Sequence, residues 1–247
     1  MNSIFAQAVE QGCFVAPDGY ILPFATPSIS EKASTLLAEI VASVPAPKVL
    51  EIGLAFGVST VHIAEAIQRA GSGALSSIDP FQTTDFHSIG LANLRQAGLN
   101  IDFTLIEEPS HLALPSLLRS QRRFDVIFID GWHSTDYVLV DFFYSDLLLN
   151  DGGIIVFHDA SQRATSKVLR MIESSKPYSL YATVRASLPR SARFKRAAYS
   201  FARGFVDAPV ALIKHSHISE PAPFNDECRA YRKLRSEQVN TRFYRPF

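Results

Sequence analysis

The sequence predicts a doubly wound α/β fold, and three observations carry that prediction. Short runs rich in Val, Ile, Leu and Phe alternate with longer runs of helical periodicity from residue 48 onward. The short runs are apolar along their length and do not alternate polar with apolar, the mark of parallel strands buried on both faces. A glycine-containing turn closes the first of them and leads directly into a helix.

Taken in order, residues 1–27 begin amphipathic and then pass through Pro17, Gly19, Pro23 and Pro27, the punctuation of a loop. An N-terminal arm or lid outside the core is expected there. Ser28 precedes Glu31 at capping-box spacing, and Leu36, Leu37, Ile40, Val41 and Val44 then share one helical face until Pro45 and Pro47 stop it. "KVLEIG" reads as a strand, "STVHIAEAIQRA" as a helix ended by Gly71, "ALSSID" as a strand and "FHSIGLANLRQA" as a helix ended by Gly98. The pairs "IDFTLIE" with "SHLALPSLLRS" and "FDVIFID" with "TDYVLVDFFYSDLLL" follow, then "GGIIVFHD" and the helix "SQRATSKVLRMIESS". "YSLYATV" and "PVALIKHS" look like two further strands. They flank an insert at 187–208 where Arg190, Arg193, Lys195, Arg196 and Arg203 interleave with Phe194, Tyr199, Phe201 and Phe205. A solvated cover or oligomer contact is the ordinary reading of such a charge run; a grip on an anionic substrate or a membrane surface is the alternative.

At 247 residues with 47% hydrophobic content the chain can bury one substantial core. Twenty-four basic residues balance twenty-four acidic ones, which argues against a general polyanion binder. Cys13 and Cys228 match no zinc or redox spacing, so reduced thiols and a cytoplasmic location are expected. No stretch reaches the roughly 18 apolar residues of a membrane span, and no secretory leader is expected.

The turn "VLEIGLAFGVST" places Glu51, Gly53, Ala55 and Gly57 before a helix whose first residues include Ser59. Glycines allow close backbone approach to a ligand, and the helix N-terminus offers free N–H groups. A dinucleotide site would read GxGxxG; here the pattern is GxAxG, with Val58 at the close-packing position. Glu51 would repel a pyrophosphate but suits a ligand carrying ammonium and sulfonium charges, as S-adenosylmethionine does. Asp79 ends the second strand about 20 residues further on, the position of a ribose-binding carboxylate. Its other reading is the start of the turn at Pro80. Glu108, Pro109 and Ser110 leave the third strand, where they would border an adenine; Ser110 reads equally as a helix cap.

Together "VLEIGLAFGVST", "SSIDPFQ", "EEPSHLALP", "FDVIFIDGWHSTDYVLVDFFYSDLLLNDGG" and "IIVFHDA" resemble the class I S-adenosylmethionine-dependent methyltransferases. The resemblance is greatest to the bacterial small-molecule group related to catechol O-methyltransferases and macrolide-sugar O-methyltransferases. It covers residues 28–175. It implies a Rossmann-like seven-stranded, mostly parallel sheet with helices on both faces and an antiparallel last strand, in a domain spanning 28–247. "YSLYATV" and "PVALIKHS" would supply the final pair. It further implies that Glu51, Gly53 and Gly57 line the methionine end, that Asp79 holds the ribose, and that Glu108, Pro109 and Ser110 flank the adenine.

Asp130 and Asp159 end the fourth and fifth strands, and adjacent strands lie about 4.8 Å apart, so their carboxylates converge. Such a pair invites Mg²⁺ or another divalent cation, which would bind a substrate hydroxyl and lower its pKa. In the family resembled, three metal ligands come from these strand ends. The asparagine position is Ala160 here, so one ligand is missing, and Asp159 reads equally as a helix cap. His133 falls where that family carries a lysine base, so His133 and Asp130 are the expected catalytic pair. Trp132 would pack on the cofactor or wall the acceptor pocket. The helix "TDYVLVDFFYSDLLL" is apolar on nearly every side, which makes a homodimer plausible.

The expected activity is O-methylation of a small-molecule hydroxyl, on a sugar or a specialised metabolite. An NAD-dependent oxidoreductase fits the alternation but not the glycine spacing or Glu51. A nucleic-acid methyltransferase would use the basic insert, yet the fourth strand ends in "DGWH" and not in the (Asp/Asn)-Pro-Pro-aromatic motif of amino-directed base enzymes. A cofactor-binding domain without catalysis is the third alternative.

Overall fold

The computed structural model describes residues 3–24, 29–185 and 224–236. After α1 (Ser3–Gln11), β1 (Cys13–Val15) and β2 (Ile21–Pro23) form an antiparallel hairpin. The chain then alternates: α2 (Glu31–Ala42), β3 (Lys48–Ile52), α3 (Val58–Arg69), β4 (Ala74–Ile78), α4 (Ile89–Gln96), β5 (Asp102–Ile106) and α5 (Ser110–Arg119). It continues with β6 (Phe124–Ile129), α6 (Thr135–Leu148), β7 (Leu149–Phe157), α7 (Arg163–Ser175), β8 (Tyr178–Arg185) and β9 (Asp226–Lys233).

Seven of the strands form one sheet in the order β5-β4-β3-β6-β7-β9-β8. All neighbours pair in parallel except β9, which runs antiparallel between β7 and β8. The expected sheet is therefore observed. Successive residues of each central strand enter opposite cores. Val49, Val126, Phe128 and Val156 pack with α2, α3 and α4, while Leu50, Ile52, Ile127, Ile129 and Phe157 pack with α5, α6 and α7. Burial on both faces explains why these strands read as continuous apolar runs.

Four expectations need correction. The segment before α2 is not outside the core: Phe5, Phe14 and Phe24 are buried, and Phe14 and Phe24 enclose Phe56 of the glycine turn at centroid distances of 5.5 and 5.1 Å. The cap of α2 is Ser30, whose Oγ accepts from the Ala33 N–H; Ser28 lies outside the described residues. Helix α4 starts only at Ile89, because His87 and Ser88 take left-handed φ values of 46° and 60°. The partner of β8 is β9, "DECRAYRK", whereas "PVALIKHS" and the 187–208 insert lie outside the described residues. Strand β9 hides its nature because its buried charges are paired: Arg229 binds Asp226 and Glu173, and Lys233 donates to the Leu149 carbonyl.

Candidate active site

Strand order reverses beside β3, whose neighbours are β4 and β6, and the crevice beyond their carboxyl ends is where open α/β sheets bind ligands. Gly53 leaves β3 at φ 97°, and a Cβ there would sit 2.3 Å from the Asp130 carbonyl oxygen. The Asp130 N–H donates to the Ile52 carbonyl, so the ends of β3 and β6 are stitched together at the crevice. Ala55 and Gly57 also take positive φ, and Gly57 caps α3 without a side-chain hydrogen bond. The first turn of α3 therefore keeps its N–H face free of a capping side chain, as an anion-binding helix terminus requires.

The two acids of this region face inward. Glu51 is fully buried and accepts from the hydroxyls of Ser59, Thr60 and Ser77 at 2.5–2.8 Å. Burial outweighs these bonds and raises its carboxyl to about 7. Glu51 and Ser59 thus tie β3 to α3 and β4 beneath the turn. Asp79 Oδ2 accepts from the backbone N–H groups of Leu54 and Ala55 and from Gln82 Nε2, and Oδ1 accepts from the Phe81 N–H. Asp79 Oδ2 is thus taken up by donors that fix the glycine turn, while Oδ1, with one donor, keeps an acceptor position. Gln82 and Asn93 complete this clasp by donating to the Ala55 and Phe56 carbonyls, a role no local pattern announced.

Beyond β5, Glu108 is exposed, Pro109 is the N-cap of α5 and Ser110 is buried beside Asp141. Phe81, Leu112 and Trp132, which follow β4, β5 and β6 in the chain, are exposed.

The chemistry-bearing groups meet at the ends of β6 and β7. Asp130, His133 and Asp159 bring one ligand atom each within 4.8 Å of one another. His133 Nε2 lies 2.9 Å from Asp159 Oδ2 and 3.6 Å from Asp130 Oδ1. Asp159 holds this place in a left-handed conformation, φ 50°, and the turn behind it returns through the Gln162 N–H to the Asp159 carbonyl. It does not cap α7, whose N-cap is Gln162.

Behind this triad stands His158, 5% exposed. Its Nδ1 lies 2.9 Å from Asp130 Oδ1 and 3.5 Å from Asp159 Oδ2, and its Nε2 faces Glu227 of β9 at 3.5 Å. Glu227 in turn accepts the Ser30 N–H at the start of α2. His158 therefore braces the two carboxylates and does not replace the missing ligand at Ala160. Glu227, 69 residues away in sequence, had no signal by which to be found.

Electrostatics follow from these contacts. Hydrogen bonding to Asp130 and Asp159 raises His133 to about 9, against a smaller opposing effect of burial. Burial works to lower His158, but Asp130, Asp159 and Glu227 outweigh it and hold the ring as an imidazolium. Burial likewise works to raise Asp159, and the two histidines override it, leaving the carboxyl well below its ordinary range. The remaining histidines of note do other work: His62 binds the Val58 carbonyl, His111 packs edge-on to Tyr137, and His87 pairs with Asp18 while stacking on Tyr20.

Comparison with known proteins agrees with this architecture. Residues 50–160 match the family model of a methyltransferase domain. Cofactor-bound Rv0187 from MTB superposes with a TM-score of 0.60 at 16% identity, covering 95% of this chain and 89% of that one. The O-methyltransferase TomG from Streptomyces achromogenes, involved in tomaymycin synthesis and solved with SAM, gives 0.56 at 18% identity over 75% and 84% of the two chains. The O-methyltransferase from Bacillus cereus, solved with SAH, gives 0.51 at 20% identity over 65% and 77%. No curated protein matches the chain in sequence. Residues 50–160 thus resemble a methyltransferase domain, and the sheet around them has the fold of these solved structures.

Proposed function

We propose that this protein transfers the methyl group of S-adenosylmethionine to a hydroxyl of a small molecule, at the cluster formed by Asp130, His133 and Asp159. One observation carries the reading. In a methyltransferase domain, two carboxylates and an imidazole converge at the strand ends beside the glycine turn. The O-methyltransferase neighbours support oxygen as the atom methylated.

S-adenosylmethionine supplies a methyl group on a sulfonium, open to attack by an oxygen lone pair. The turn Gly53–Gly57 and the uncapped start of α3 would receive its methionine end. Glu51, Ser59 and Asp79 fix that turn from beneath, and Glu108, Pro109 and Ser110 would border the adenine. The acceptor must lose its hydroxyl proton as the new C–O bond forms and the C–S bond breaks.

His133 Nε2 would face the acceptor but carries its own proton at neutral pH, because two carboxylates hold it there. As a free base, His133 would work only as pH rises toward about 9. The donor set of Asp130, Asp159 and His133 fits a divalent cation, and the two carboxylates that stabilise the proton would equally favour its replacement by that ion. When bound there, a divalent cation would lower the pKa of the acceptor hydroxyl. The cation-assisted reading therefore stands ahead of the free-base reading.

Helix α6 exposes Leu139, Phe143 and Leu147 at intervals of four residues, an apolar stripe that supports a homodimer. Among the described residues no helix is long and apolar enough to cross a membrane. The test of the activity is release of S-adenosylhomocysteine from S-adenosylmethionine across a panel of sugar and phenolic hydroxyls, with and without Mg²⁺ or Mn²⁺. Product that appears with an acceptor and disappears in D130N supports the reading. Acceptor-independent or D130N-independent release overturns it.

A further inference from the structure

We infer that the Asp130–His133–Asp159 cluster selects a first-row transition-metal dication over magnesium, with His133 Nε2 as a metal ligand in its own right. The inference rests on the reading that Asp130 and Asp159 hold a divalent cation. It concerns which cation, and which side chain decides.

Mg²⁺ favours six hard oxygen donors in a near-ideal octahedron and draws strength from the negative charge around it. This site offers it few oxygen donors. Among the described residues the group contains two carboxylates and one imidazole, with Ala160 contributing no donor side chain. Both carboxylates also lean on the buried His158 ring, which lies 2.9 Å from Asp130 and 3.5 Å from Asp159, and Glu227 lies on the far side of that ring, away from the ligand atoms.

An imidazole nitrogen is a good donor for Mn²⁺, Fe²⁺, Co²⁺, Ni²⁺ and Zn²⁺ and a poor one for Mg²⁺. His133 is placed for that role. Its Nε2 is the atom turned to both carboxylates, and the side chain is 43% exposed, which leaves the remaining coordination positions to solvent and substrate. His158 cannot take the role, since Nδ1 is committed to the carboxylates and Nε2 faces Glu227. His133, the one nitrogen donor of the group, is therefore the side chain that decides the metal.

Equilibrium titration of metal-stripped protein with Co²⁺ and with Mg²⁺ tests this, read by calorimetry and by the visible absorption of bound Co²⁺. The comparison is wild type, H133N and D159N. H133N exchanges the nitrogen donor for an amide oxygen on a partly exposed loop residue. The expected result is a Co²⁺ affinity at least about tenfold weaker in H133N, a Mg²⁺ affinity changed by less than about threefold, and a shifted Co²⁺ spectrum. D159N should lose both metals. Equal losses for Co²⁺ and Mg²⁺ in H133N, or an unchanged spectrum, overturn the ligand role of His133 while leaving a cation site standing. Failure of the wild type to bind either metal overturns the cation reading itself.

Discussion

The His133 imidazole stands 2.9 Å from the Asp159 carboxylate, joining the loop after β6 to the end of β7 across the mouth of the crevice. With Asp130 on its other side, that contact sets the protonation state of a catalytic candidate. In metal-free protein, His133 is expected to titrate near 9 by imidazole NMR, and D159N should lower it part of the way, with Asp130 still holding it above its ordinary value. The folded state binds this proton more tightly than the unfolded chain. Its contribution to stability is therefore complete below about 6.5 and is lost as pH rises through about 9.

Glu227 should matter to the rate without touching substrate. It fixes His158, which fixes Asp130 and Asp159. E227Q removes the charge facing Nε2 and is expected to cost roughly tenfold in metal affinity or rate, with S-adenosylhomocysteine affinity unchanged. Parallel loss of cofactor binding would mean that the substitution acts through the fold instead.

Glu51 predicts a stability change of opposite pH dependence to the acid denaturation of paired carboxylates. Burial lifts its carboxyl from 4.5 to about 7, so the folded state holds the proton more tightly than the unfolded chain. Stability from this group is complete below about 4.5 and declines by about 3 kcal/mol as pH rises through about 7. E51Q should abolish that decline in a urea titration series between pH 5 and pH 8. A wild-type curve that is flat over this range would refute it.

Asp79 separates two roles that sequence left open. If it chiefly fixes the glycine turn, D79N must turn an amide N–H₂ toward existing donors, costing about 1–3 kcal/mol for each one left unsatisfied. Melting temperature and cofactor affinity should then fall together. An unchanged melting temperature with weakened cofactor binding would restore the ribose role.

The fold was legible wherever the physics is local. Two-sided burial produces continuous apolar strands, and helical periodicity marks α2, α3 and α5, so the α/β alternation followed directly. Asp130, His133 and Asp159 were legible because strand ends converge at one edge of a parallel sheet. What escaped depends on contacts distant in sequence. Phe5, Phe14 and Phe24 carry no periodic pattern; Phe14 and Phe24 are buried by docking on Phe56, and Phe5 by packing on those two rings. Strand β9 looked polar because its buried Arg229 and Lys233 find partners 56 and 84 residues away. The inward turn of Glu51 and Asp79 depends on hydroxyls and N–H groups whose directions only the folded backbone sets.

The most direct test of the account is calorimetric titration of the protein with S-adenosylhomocysteine, with NAD⁺ as the control. Saturable binding of S-adenosylhomocysteine and none of NAD⁺ is the predicted result. Binding of NAD⁺ alone, or of neither ligand, would contradict it.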